Sequence, residues 1–566
     1  MRKYEFLSFL FIFIISVFVV FELFISIGRP TTFDGPTHIT DIAGYSQALA
    51  SGNFPVFWLD KFGNYGMPIG LFSHQLPLTL AGAVNIFVHD PILIYTLFLF
   101  LGIFLTNVTF YLFLRIYFSS LPALGGITLL TFSSYRIIDI YVRGDMPEIF
   151  AGIFLGLILL GLYYLIKQQK LWGFFLIAVS YCFLTLTHPM MLLVYAFLVF
   201  PYALYLFLTT DRGQIESIKA IFNKSRVTLV SLFCIAVILG LGMAAYFALP
   251  LNIEVKYLYF GQEKSHLSPQ FLSWLNFFSP QWFYFYKNDV VTRGQFIQSG
   301  LIESMIVLIG LVLFLGKIIK DRVHLKISLS DIAVVCSILV LFFTTTLSLP
   351  LYQHILFLSD LQMPWRMLAI YIFLPPIVIS SLLQKVNKDI AVLGFVFLVL
   401  ILRFPQIYGK NYVDYSPQSY SFTKYNLFPI DMNTIWTGPT ETYPIEKTKI
   451  GIISGTGTIV SVKVSNNVRN YVVEGTTPLR LADYTFYFPG WHVYVDEVST
   501  PIQFQDPNYR GVITYMVPPG RHTIRVVLQD TAVRRFAKLL SLLFTLLFGV
   551  IFVMRRKLAN YAKLYV

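Results

Sequence analysis

Apolar residues run along this chain in long unbroken blocks separated by short polar stretches. A block of about 20 such residues can cross a bilayer as a helix. The pattern predicts twelve spans, at 5–28, 91–115, 121–134, 148–166, 171–187, 190–209, 227–249, 299–316, 331–349, 366–384, 389–405 and 537–554. Residues 76–88 are apolar too, but Pro77 and Gly82 interrupt them and predict a re-entrant or interfacial helix. Between 406 and 536 the pattern changes. "GTIVSVKVS", "NYVVEG", "YTFYFPGWHVYVD", "TPIQFQ" and "GVITYMVPPGRHTIRVVL" alternate apolar with polar residues and are broken by turn residues. That is the signature of strands, and it predicts a small antiparallel β-sandwich.

Composition agrees with a membrane chain. Of 566 residues, 56% are hydrophobic and 13% charged, against roughly 25% charged in a soluble domain. The 55 Phe and 35 Tyr suit aromatic belts at the two interfaces. A net charge of +13 would suggest nucleic acid for a soluble protein. Here the basic residues mark cytoplasmic connections instead, so no nucleic-acid partner is expected. Cys182, Cys234 and Cys336 all lie in apolar blocks and imply no disulfide framework. The first apolar block is too long for a signal peptide and lacks a small-residue cleavage site, so it reads as a retained helix.

With the N-terminus inside, the inner connections carry Arg115; Lys167 and Lys170; Arg212, Lys219, Lys224 and Arg226; Lys317, Lys320, Arg322 and Lys326; Lys385 and Lys388; and the tail Arg555, Arg556, Lys557 and Lys563. This is the positive-inside arrangement. Arg534 and Arg535 break it, just outside the last predicted helix, where long side chains can snorkel. The expected organisation is a polytopic domain over 1–405 with outer loops 29–90, 135–147, 250–298 and 350–365. An extracytoplasmic β-rich domain follows over 406–536, and 537–566 form a final helix with a basic cytoplasmic tail.

Polar chemistry gathers at the outer helix ends. Asp34, His38 and Asp41 follow the first span; Arg136, Asp139, Arg143, Asp145 and Glu148 stand in "YRIIDIYVRGDMPEIF"; His188 is in "LTHPM", Glu254 in "LPLNIEVKY", and Trp365 and Arg366 in "LQMPWRML". Acids, arginines and histidines on one membrane face suit work on an anionic, lipid-anchored molecule. Each has a plainer reading. Asp34 precedes Gly35-Pro36 and suits a helix N-cap as well as a general base or metal ligand. "RGDMPE" could be a structural ion-pair cluster. His188 could be a polar anchor. Trp365 and Arg366 could be interfacial anchors or a phosphate clamp, for which the guanidinium fork is suited. Glu22 and Glu303, inside apolar blocks, read as buried packing residues. There is no P-loop, dinucleotide fingerprint, HExxH or nucleophile elbow.

In order and spacing, the first loop with Asp34, His38 and "ALASGNFPVFWLDKFGNYGMPIGLF", then "RGDMPE", "LTHPM", "LPLNIE", "LQMPWRML" and "YFPGWHVYVDE", resemble prokaryotic multi-pass membrane proteins labelled "6-pyruvoyl-tetrahydropterin synthase-related", which are YfhO-like. Such proteins look like GT-C glycosyltransferases. The resemblance implies an enzyme that moves a sugar from a polyprenyl-phosphate donor to an extracytoplasmic glycan, lipid or polymer. It implies a catalytic acid at Asp34, further acids at Asp145 and Glu148, and donor-phosphate contacts at Arg143 and Arg366. His38, His188, Glu254 and Trp365 are the remaining candidate substrate contacts. A divalent cation, Mg or Mn, is a candidate partner of the class, but Gly35 stands where a paired acid would be. The loop around Gly63, Gly66 and Pro68 is expected to shape the acceptor groove. The alternatives are a lipid or polysaccharide transporter without chemistry, against which no internal repeat is found, and a scaffold presenting the β-domain.

Overall fold

In the computed structural model the apolar blocks are helices and the C-terminal alternating segment is sheet. The structure describes residues 2–26, 28, 30–60, 65–209, 224–259, 271–278, 297–320, 326–355, 358, 361, 363–409, 412–413, 433–437 and 448–562. Gly63, Arg212, Lys219, Arg322 and Lys563, with much of loop 250–298 and of 406–449, lie outside the described residues.

Among the described residues, eight helices are long and apolar enough to cross a membrane: Pro91–Leu114, Met146–Ile166, Met190–Leu208, Arg226–Met243, Leu301–Lys320, Pro364–Val386, Asp389–Gln406 and Ala532–Val553. The predicted span at 121–134 is a bent pair, Ser120–Thr131 and Ser134–Arg143, at 42° to each other, and makes a ninth if counted as one. The blocks at 5–28, 171–187 and 331–349 contain shorter helices; the first is broken at Val19–Val20. Residues 75–88 form the interfacial-length helix Gln75–Val88.

Local chemistry sets several helix starts. Asp90 caps Pro91–Leu114 by accepting from the amides of Ile92 (3.1 Å) and Leu93 (3.0 Å), with Pro91 in the first turn. Asp145 caps Met146–Ile166 through the amide of Glu148 (3.0 Å). Carboxylates then tie distant segments. Glu303 holds Arg403 at 2.5 Å and the amide of Ser134 at 2.9 Å. Glu22 accepts the amide of Gly409 at 2.6 Å.

Among the described residues, the C-terminal domain has eight strands, β1 (Ile450–Ser454), β2 (Gly457–Ser465), β3 (Val468–Gly475), β4 (Leu479–Phe486), β5 (Trp491–Val495), β6 (Val498–Thr500), β7 (Val512–Val517) and β8 (Gly520–Leu528). They form two antiparallel sheets, ordered β1-β4-β7 and β2-β3-β8-β5-β6. Inward residues of both sheets, including Leu481 and Tyr515 from one and Tyr471 and Trp491 from the other, share a core. Of "TPIQFQ" only Thr500, the end of β6, lies in a strand; the rest makes a single bridge, Gln503 to Thr514.

The first loop docks on this domain. Trp58 meets Trp491 edge-to-face at 5.2 Å, and Tyr65 stacks on Phe486 at 4.7 Å. Asp60 accepts from Arg469 at 2.7 Å and faces Lys449 at 3.4 Å. Gly66 sits at φ +78 under the Trp58 ring, where a Cβ would collide. Around Gly66 the loop expected to shape an acceptor groove meets the sheet domain. The last helix also starts earlier than predicted, at Ala532. Arg534 is inside it and does not snorkel; it is buried against Glu254 at 2.9 Å and the carbonyl of Pro489 at 3.0 Å.

Candidate functional site

Backbone pairing brings the first loop to the "RGDMPE" segment. The amide of Phe33 donates to the carbonyl of Val142 (3.1 Å), and the amide of Asp34 to that of Arg143 (2.7 Å). Residues Asp139–Arg143 form one π-helical turn, a local widening often found at functional sites. Gly144 ends it at φ +72, a conformation that favours glycine. A Cβ on Gly144 would lie 2.6 Å from Thr32 Oγ1, 2.8 Å from Tyr95 Oη and 2.9 Å from the Gly35 amide. Gly144→Ala is therefore expected to cost about 1–3 kcal/mol, read as a lower thermal midpoint of the purified protein. An unchanged midpoint would show that this junction is slack. A Cβ on Gly35 would meet the Thr32 hydroxyl, which can rotate away, so Gly35 is less confined than Gly144.

Arg143 is the centre of the cluster. Its Nη1 donates to Asp139 Oδ1 (2.6 Å), Glu148 Oε2 (2.8 Å) and Tyr135 Oη (3.0 Å), and its Nη2 to Asp145 Oδ2 (2.6 Å). The guanidinium stacks over Trp365 at 5.0 Å. Arg143, the expected donor-phosphate contact, is thus a buried, carboxylate-bound arginine. Trp365, 7% exposed, packs against this arginine and against Tyr135.

Asp34 sits beside this group. It precedes the Gly35–Ala50 helix but makes no capping hydrogen bond; its ψ of −22 is not the extended geometry a cap uses. Its carboxylate stands 4.0 Å from Arg143 Nη2, and 46% of the side chain remains open. Deep placement among protein atoms and the nearby Asp145 push its pKa up to about 6, against the opposing pull of Arg143 and Arg366. Asp145 behaves oppositely. Burial would raise it, but Arg143 and the histidines His188, His38 and His74 outweigh burial and hold it well below the usual carboxylate range.

Three histidines line the same region. His38 Nε2 is 4.0 Å from Asp145 Oδ1. His74 stacks at 4.8 Å from His188 and 5.8 Å from His38. Its Nδ1 lies 2.8 Å from the Thr187 carbonyl, which can only accept, so Nδ1 carries the proton. Burial lowers His74 to about 4 and His188 well below its ordinary value, so both rings are neutral at pH 7. His74 was not among the sequence candidates; it stands in a loop with no spacing to mark it. Arg366 is half-buried on the 3₁₀ turn Pro364–Met367, its Nη1 donating to the Met190 thioether at 3.0 Å. Glu254 is not brought into this cluster: it binds Arg534 and the Thr531 hydroxyl (2.7 Å) and fastens the last helix.

One ligand atom each of Asp145, Glu148 and His188 lies within 4.8 Å of the others. All four carboxylate oxygens of that pair are already taken, by Arg143 twice, by the Glu148 amide and by the Tyr135 hydroxyl. The residues as arranged do not fit a divalent cation.

Compared with protein-family models, curated proteins and solved structures, the chain matches none.

Proposed function

We propose that the protein is an integral membrane glycosyltransferase of the GT-C class, taking a sugar from a polyprenyl-phosphate donor to an extracytoplasmic glycan, lipid or polymer. The observation that carries this reading is Asp34: an uncapping, solvent-reached carboxylate with a raised pKa, set among arginines beside a cluster of polar side chains. In this reading the acceptor hydroxyl attacks the anomeric carbon, its proton passes to Asp34, and the bond to the phosphate oxygen breaks with inversion. Polyprenyl phosphate leaves with the bonding electrons. Arg366 stabilises the growing charge, the electrostatic contribution that usually dominates such steps. Arg143 contributes indirectly by fixing the carboxylates around it.

The proposal includes twelve spans, the shorter and broken helices completing the count, and a sandwich arrangement of the two sheets. It puts both termini in the cytoplasm and 406–536 outside. Single cysteines in a cysteine-free background test that topology. Lys463→Cys on the sheet domain is expected to react with a membrane-impermeant thiol reagent in intact cells, and Lys388→Cys only after lysis. The reverse pattern inverts the protein.

Activity is tested in nanodiscs with a panel of radiolabelled polyprenyl-phosphate hexoses, reading release of polyprenyl phosphate. Release by wild type and not by Asp34→Asn is the expected result. Lipid movement between leaflets without release would instead support a transporter.

Arg366→Lys keeps the charge but loses the planar fork. Donor affinity is expected to fall about tenfold or more, the scale of one charge-assisted hydrogen bond. Equal donor binding by wild type, Arg366→Lys and Arg366→Ala would remove Arg366 from the phosphate site and leave it as an interfacial anchor.

A further inference from the structure

We infer that Arg143 is the resident cation of this site, standing where a divalent metal would otherwise bind, so that the chain works without one. The ligand set is nearly assembled: one atom each of Asp145, Glu148 and His188 falls within 4.8 Å of the others. Metal–oxygen contacts of about 2.0–2.6 Å would suit a cation at the centre of such a set. That space is contested by a guanidinium. Arg143 Nη1 is 2.8 Å from Glu148 Oε2 and 2.6 Å from Asp139 Oδ1; Nη2 is 2.6 Å from Asp145 Oδ2. The remaining oxygens are occupied as well: Asp145 Oδ1 accepts the Glu148 amide at 3.0 Å, and Glu148 Oε1 accepts the Tyr135 hydroxyl at 2.8 Å.

Arg143 is 3% exposed and backed by the Trp365 ring at 5.0 Å, so it has no solvated position to retreat to. A metal would have to separate it from Asp145 and Glu148 at once. Breaking a buried ion pair is costly because the freed partner stays desolvated. Position 35, beside Asp34, is glycine and supplies no second acid to bridge a metal. A guanidinium is always charged and, unlike a metal, cannot be chelated. The cation of this site is therefore permanent.

The consequence for catalysis rests on the glycosyltransferase reading; the binding consequence does not. The test is a Mn²⁺ titration followed by electron paramagnetic resonance on the full-length protein in detergent. Wild type is expected to leave the spectrum of the aqueous ion unchanged apart from weak surface binding. Arg143→Ala is expected to take up one Mn²⁺ at least about tenfold more tightly, to gain thermal stability with it, and to lose both effects when Asp145→Asn is added. Tight stoichiometric Mn²⁺ in wild type that disappears in Glu148→Gln would overturn the inference. So would a folded Arg143→Ala that gains no Mn²⁺. If Arg143→Ala does not fold, the wild-type and Glu148→Gln titrations decide alone. EDTA treatment is expected to leave wild-type donor turnover unchanged. If no turnover is found with any donor, the glycosyltransferase reading fails and the Mn²⁺ result still stands.

Discussion

Asp34→Asn is expected to lower turnover by about 10² or more while the protein stays folded. Asn keeps the shape of Asp but cannot accept the proton. Helix capping gives no competing explanation, because the Asp34 side chain caps no amide. The wild-type pH profile supplies an independent mark. A base with a pKa of about 6 predicts that kcat/KM falls as pH drops through 6, well above the range of an ordinary aspartate. Stability moves the other way. The folded pKa is raised, so between about 4 and 6 the folded state holds more protons than the unfolded state. Asp34 thus costs stability as pH rises through that window, and the cost persists at pH 7. Asp34→Asn is expected to melt slightly higher than wild type at neutral pH and equally at pH 4. An active, less stable variant would make Asp34 structural.

The long apolar blocks were legible because about 20 consecutive apolar residues have few alternatives to a buried or membrane helix. Their interruptions were not. The break at Val19–Val20 and the 42° bend after Thr131 fall among residues whose types do not forbid helix. Tertiary contacts set them, such as the Glu303 carboxylate that takes the Ser134 amide. The alternation in "GTIVSVKVS" marked β2, whereas β1 and the start of β4 lack a clean period and were missed.

At the site, the sequence displayed its chemistry but not its pairing. "RGDMPE" holds an arginine within five residues of two acids, and the plainer ion-pair reading of that segment is the one the geometry favours for Arg143. Asp-Gly-Pro looked like a cap because composition cannot reveal that Asp34 adopts ψ −22. Glu254 and Arg534 are 280 residues apart, and nothing local in the chain links them. Once paired, they account for Arg534, one of the two basic residues that broke the charge pattern.

The largest stability effect is expected at the joint between the first loop and the sheet domain. Arg469 is 0% exposed, bonded to Asp60 at 2.7 Å, 3.8 Å from Asp483, and stacked on Trp491 at 4.3 Å. Arg469→Ala removes the cation beside the buried Asp483 and leaves the partly buried Asp60 paired with Lys449, a change that costs about 3–5 kcal/mol. The expected result is a lower thermal midpoint and faster proteolysis within 50–70, since that loop loses its anchor. The site should suffer too, because the same loop carries Asp34 at its other end. pH gives a second check. Burial would raise the pKa of Asp60, but Lys449 and Arg469 outweigh it and hold Asp60 low. Its contribution is therefore present above the ordinary carboxylate range and is lost as pH falls through the depressed value. Lys449, pushed down to about 8 by burial, acts at the other end: between about 8 and 10.5 the undocked state binds more protons, so docking firms as pH rises there. Arg469→Met with Asp60→Asn separates charge from packing. If the joint depends on pairing, the double variant is expected to be more stable than Arg469→Ala, because it refills the volume and removes one carboxylate that has lost its arginine. Arg469→Ala melting with wild type would mean that Trp58, Tyr65 and their aromatic partners hold the loop without the ion pairs.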